Sequence, residues 1–171
     1  MKRIFLSLIL ALVAIGFASA QKYALVDMEY ILKNIPDYEM MNQQLEEVSK
    51  KWQNEIEALE NKAQTLYKKY QSDLVFLSAD QKKSREDQIV TMEKEAAELK
   101  RKYFGPEGEL FNKRMELMKP IQDEIWNAIR DLAKAKGYQM VLDRGSSGII
   151  FANPAIDIST DVLAKLGFST R

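Results

Sequence analysis

Between Tyr38 and Leu77 the chain runs for 40 residues without a glycine or a proline, and that stretch limits its folds more than any other feature. Apolar residues recur through it at Met41, Leu45, Val48, Trp52, Ile56, Leu59, Ala63, Leu66, Tyr70, Leu74 and Leu77, in steps of three and four that average 3.6. That is the period of a straight α-helix, not the 3.5 of a strongly supercoiled heptad seam. Such a helix is about 60 Å long at 1.5 Å per residue. One narrow apolar stripe on so long a rod calls for a partner helix, not a globular core.

The partner follows at once. Ser78-Ala79-Asp80-Gln81 has the S-x-x-Q form of a capping box, so a second helix can start at the next residue. Its stripe runs Ile89, Met92, Ala96, Leu99, Tyr103. Two long helices joined by a tight turn near residue 78 lie antiparallel. A compact bundle is the alternative, but each helix carries a single stripe and no third long helix exists to close one. Pairing positions about Ser78 sets Pro106 near Trp52 and Pro120 level with Pro36. A helical hairpin is therefore expected over residues 37–118, with the two prolines at the level where it joins another body.

The returning arm is interrupted at RKYFGPEGELFNKR, residues 101–114. Glycine and proline are poor in a helix interior, proline by about 3 kcal/mol. Gly105 reads as the C′ residue of one helix and Pro106 as N1 of the next, with Glu107 and Glu109 in an acidic first turn. The missing side chains at Gly105 and Gly108 could admit the Trp52 indole. Gly105, Pro106, Gly108, Pro120 and Pro36 are the hinge candidates. A rigid bend with no motional role is the other reading of the 105–108 break.

Segments 21–36 and 119–171 read as a small α+β body. Tyr23–Val26 is a short buried strand ending at Asp27, and Met28–Leu32 makes a turn or two of helix before Asn34-Ile35-Pro36-Asp37. Beyond Pro120 the apolar set thickens through Ile121, Ile125, Trp126, Ala128, Ile129, Leu132 and Ala133, as for a helix in a real core. Tyr138–Asp143, the turn Gly145-Ser146-Ser147-Gly148 and Ile149–Ala152 have the form of a β-hairpin. Ser159 can N-cap a short last helix. Three short strands leave open edges and bury too little for a free domain, so a homo-oligomer is expected. Tyr23, Leu25, Val141, Ile149 and Phe151 are the interface candidates.

Lys2 and Arg3, the apolar run Ile4–Phe17 and Ala18-Ser19-Ala20 form the pattern of a cleaved secretory signal over residues 1–20. The run is too short for a comfortable membrane span, which takes about 20 residues. Without those residues the chain has 23 basic and 25 acidic side chains, a net charge of −2 that recruits neither nucleic acid nor an anionic membrane by bulk attraction. With 0 cysteines and 0 histidines, disulfides, a lipoprotein anchor, thiol nucleophiles, thiolate metal sites and the usual general base are all excluded. No nucleotide loop of the Walker type appears. Catalytic, cofactor and metal sites are therefore not expected. Asp143, Asp157 and Asp161 are the carboxylates that an enzyme would have to use, but turn and cap roles account for them more simply.

YALVDMEYIL near the start of the exported chain, the charged hairpin, KGYQMVLD and the tail DISTDVLAKL resemble the Skp/OmpH family of periplasmic chaperones, in order and over nearly the whole exported chain. The resemblance implies a soluble periplasmic homotrimer, with strands of three subunits in a central β-body and three helical hairpins around a cavity. It implies a holdase for unfolded outer-membrane β-barrel proteins, working without ATP or another cofactor. An exported coiled-coil adaptor of the cell envelope is the alternative. Long arms supply many weak contacts, and the arm methionines (Met41, Met92, Met115, Met118) suit an adaptable surface. Familiar members are strongly basic and this chain is not, so no lipopolysaccharide or membrane site is carried over. Val75, Phe76 and Leu77 at the arm tip either touch clients or close the hairpin, and Tyr67, Phe104 and Phe111 are candidates for the cavity wall.

Overall fold

The computed structural model describes residues 22–168. The expected signal segment lies outside them. The described chain divides into two compact units, with the boundaries between Ile35 and Pro36 and between Asp123 and Glu124.

The unit of residues 36–123 is the helical hairpin. Helix α2 spans Pro36–Asp73, a turn follows over residues 74–78, and helix α3 spans Ala79–Phe104. The capping box at the start of α3 is complete. Gln81 N–H donates to Ser78 Oγ at 3.3 Å, and Ser78 N–H donates to Gln81 Oε1 at 2.9 Å. The buried positions Met41, Leu45, Ile56 and Ala63 of α2 and Ile89, Ala96 and Tyr103 of α3 all fall on the two expected stripes. Ala63 and Ala96 are each 3 % exposed, and side chains that small let the helix axes approach closely there. Helix α4 then runs Glu109–Lys136.

Pro36 lies at one boundary between the two units and Pro120 close to the other. Pro36 is the first residue of α2, where its missing N–H is one that the helix end leaves unpaired anyway. Pro120 lies inside α4, which continues through it, so no helix ends there. The Glu116 carbonyl simply lacks the amide that would normally bond it.

The second unit holds strand β1 (Lys22–Val26), helix α1 (Met28–Lys33), the α4 residues from Glu124, strand β2 (Tyr138–Asp143), a 3-10 turn (Pro154–Ile156) and helix α5 (Ser159–Lys165). Helix α4 ends at Gly137, whose φ of 72° is the left-handed conformation that glycine adopts without strain. The strands pair in parallel, with Ala24 opposite Val141, Leu25 opposite Leu142 and Val26 opposite Asp143. A parallel pair needs a long crossover, and here the crossover is the entire hairpin.

The expected β-hairpin from 138 to 152 does not form within the chain. Ile149–Ala152 is not a strand, and Ile150 and Phe151 are 102 % and 86 % exposed. Strand β1 has β2 on one side and residue 157 on the other. Leu25 bridges to Asp157, and the Ile158 N–H donates to the Leu25 carbonyl at 2.9 Å. The sheet is thus two-stranded among the described residues, with β1 enclosed and Ala24, Leu25 and Val26 buried. Helix α5 packs on α1, so Ile31, Ile35, Val162 and Leu163 are buried in this unit.

Candidate functional site

The hairpin presents its apolar groups at separate levels. At the turn, Val75 and Phe76 are 83 % and 84 % exposed, while Leu77 is half-buried. Only Leu77 therefore contributes much to closing the hairpin. Two tyrosine–carboxylate bonds link the helices along their length. Tyr70 Oη donates to Glu86, and Tyr103 Oη donates to Glu55 Oε2 at 3.0 Å. Burial and the Glu55 bond both hold the Tyr103 hydroxyl above the usual phenol range. Tyr67, half-exposed, lines a cavity of about 610 Å³ with Ala63, Ala96 and Lys100.

Nearer the break, Trp52 stacks on Tyr103 with ring centroids 4.6 Å apart and planes at 4°. Phe104 stands edge-on to both, at 6.3 Å and 6.5 Å. The indole is held by aromatic contact, not in a space left by glycine as expected. The glycines serve the backbone. A Cβ on Gly105 would lie 2.4 Å from the Arg101 carbonyl oxygen, and one on Gly108 would lie 2.8 Å from those of Lys102 and Tyr103.

Gly105 is the C-cap of α3 with φ −62° and ψ 169°, so it is extended and not a left-handed C′ residue. Pro106 is likewise not N1 of the next helix, because residues 105–108 form a turn before α4 starts at Glu109. Gly108 N–H donates to the Gly105 carbonyl at 2.9 Å, and Asn112 Nδ2 to the Glu107 carbonyl at 3.2 Å. An exposed Lys102–Glu109 ion pair at 3.3 Å spans the break. The break is a hydrogen-bonded turn of closely packed backbone.

A hollow of about 510 Å³ lies beside the turn, with Gly105 and Pro106 on its border. Leu45, Phe104, Pro106, Leu110 and Phe111 form its apolar part, and Asn42, Glu46 and Arg114 supply polar groups. Phe104 and Phe111, two of the expected wall residues, are brought together here, whereas Tyr67 and the 75–77 tip lie elsewhere. Leu45 was legible only as a stripe position, and Leu110, Asn42, Glu46 and Arg114 carried no signal of their own.

In the second unit the three aspartates have structural partners. Asp143 Oδ1 accepts from the backbone N–H of Gly145 at 3.1 Å and of Met28 at 3.3 Å. Burial pushes its carboxyl up, but bonds from Ser146, Gly145 and Met28 outweigh that and hold it below the usual carboxylate range. Asp157 Oδ1 accepts from both the N–H and the Oγ of Ser159, at 2.9 Å and 2.6 Å. Ser159 is therefore not the N-cap of α5 but its first residue, and its Oγ accepts from the Asp27 N–H at 2.8 Å. Asp161 pairs with Lys136.

Of the interface candidates, Tyr23 is 45 % exposed and Phe151 86 % exposed, and Val141 and Ile149 are partly covered. Leu25, at 4 % exposed, is a correction. Its side chain is spent within the chain and is not available to a second copy.

The family model for OmpH-like outer membrane proteins matches residues 22–166. The chain belongs to the OmpH-like family. Its relatives include the chaperone protein Skp of Yersinia enterocolitica, 29 % identical over 160 residues that make up 94 % of each chain. The chaperone protein Skp of Pectobacterium atrosepticum is 27 % identical over 166 residues, again 94 % of each. A solved structure described as an OmpH-like outer membrane chaperone from Caulobacter crescentus CB15 superposes with a TM-score of 0.72 at 14 % identity, covering 86 % of this chain and 85 % of that one. At that identity the structural likeness establishes the fold. The OmpH-like fold is thus mostly helical, with long helices and a small two-stranded sheet.

Proposed function

We propose that this protein is a periplasmic holdase that binds unfolded outer-membrane β-barrel proteins and keeps them from aggregating, without ATP. The observation that carries this is the end-to-end likeness to chaperone proteins: the Yersinia relative is matched over 94 % of both chains. The hairpin is suited to the task. It offers exposed apolar side chains at several levels, Val75 and Phe76 at the turn, Tyr67 in the arm and Phe111 beside the break. Many weak contacts along one arm give retention without a single tight pocket. Asp143, Asp157 and Asp161 already serve turns, caps and an ion pair, which supports a binding role over a catalytic one.

The working form in this reading is a homotrimer joined through the body, with Tyr23, Val141, Ile149 and Phe151 at the junction. Ile150 and Phe151 are exposed in a segment that is not a strand within one chain, which supports its pairing with another copy. The break at 105–108 acts as a fixed bend, not a hinge. Among the described residues no helix is long and apolar enough to cross a membrane. Co-purification from the envelope tests the function: a mixture of unfolded barrel proteins is expected. One stoichiometric folded partner would point instead to an adaptor.

A further inference from the structure

We propose that the hollow beside the break is a docking site for one aromatic side chain of an uncharged stretch of unfolded polypeptide. This names the chemistry of the client within the holdase reading and rests on it.

The hollow lies where the helix is interrupted: α3 ends at Phe104, α4 starts at Glu109, and the turn between them sets Gly105 and Pro106 on its border. Trp52 cannot fill the space, because its ring is engaged face-on with Tyr103. The result is about 510 Å³ bordered by Leu45, Phe104, Leu110 and Phe111, within the range of small-ligand sites and roomy enough for a planar ring. Phe104 and Phe111 give such a ring partners for edge-on or offset stacking.

The polar groups select the rest of the occupant. Glu46 and Arg114 both border the hollow, and neither takes part in an ion pair among the described residues. One carboxylate and one guanidinium leave the site with no net charge. A phosphate would meet the carboxylate, and an ammonium group would meet the guanidinium, so either ligand brings a repulsive pair. A peptide group is neutral and offers one donor and one acceptor, which match Glu46 and Arg114, with the Asn42 amide able to serve either. An aromatic side chain flanked by uncharged residues satisfies both the apolar and the polar part.

The test uses the full exported chain and two labelled uncharged peptides that differ only in a central Phe or Ala, with binding read by fluorescence anisotropy. The Phe peptide should bind roughly tenfold more tightly, as expected for burying one large apolar side chain. Asn42→Trp, which fills the hollow from its edge, should abolish that preference. So should Phe111→Ser, at a position 49 % exposed where the fold does not depend on the ring. Equal affinity for the two peptides, a preference retained in both variants, or displacement of the Phe peptide by excess inorganic phosphate would overturn the site. Aggregation of a β-barrel client is measured on the same samples. Suppressed aggregation without the Phe preference rejects this site alone; the preference without suppression upholds the site and rejects the holdase reading.

Discussion

Gly108 shows how a single position shapes the arm. Its buried backbone lies against the carbonyls of Lys102 and Tyr103, so Gly108→Ala must push the two helix ends apart. We expect a loss of about 1–3 kcal/mol in urea denaturation, the usual cost of local backbone strain, and an unchanged midpoint would refute the close approach. Asp143 is the matching position in the body. Its carboxyl sits below the usual range, so ionisation stabilises the fold at neutral pH, and that contribution disappears as pH falls below about 4, the ordinary aspartate value. Thermal melting should drop with acidification through that window, and Asp143→Asn should flatten the drop. Parallel pH curves for both proteins would show that the bonds from Met28, Gly145 and Ser146 carry no linkage. The sequence marked 105–108 as special, but it pointed to the Trp52 indole when the crowding is backbone against backbone. Chain-to-chain approach leaves no periodic trace in side-chain types.

At the scale of elements, the hairpin was readable because its signals are local. A 3.6-residue stripe and a capping box each act within a turn or two of helix, and the buried positions and the Ser78–Gln81 bonds follow them. The body was less readable because its pairing is remote. Tyr138–Asp143 and Ile149–Ala152 have every mark of a hairpin, yet β2 pairs with a strand more than a hundred residues earlier. Residue 157 then takes the far side of β1. Nothing local distinguishes a strand that pairs with its neighbour from one that pairs across a long crossover. Pro120 makes a similar point for α4: its propensity argues against a helix interior, yet the helix runs through it. Restoring the missing bond should therefore help. Pro120→Ala is expected to stabilise the protein by about 1–3 kcal/mol, seen as a higher urea midpoint. A lower midpoint would mean that the proline is needed where it stands.

For the molecule as a whole, one chain leaves Phe151 at 86 % and Ile150 at 102 % exposure beside a two-stranded sheet, an apolar edge that assembly would cover. Light scattering should give the mass of a trimer, and Phe151→Asp should lower it towards that of one chain. Leu25→Asp would be uninformative, since it would unfold the body first. The candidate site was partly visible beforehand, as Phe104 and Phe111 were singled out by lying off the stripe, but their meeting in one hollow depends on the geometry of the turn between them. The central claim is that this chain holds unfolded barrel proteins without nucleotide. Its most direct test is to dilute a urea-denatured outer-membrane β-barrel protein into buffer with a tenfold excess of trimer and follow turbidity without ATP. The account predicts that the solution stays clear. Turbidity that rises as fast and as far as in the protein's absence would contradict it.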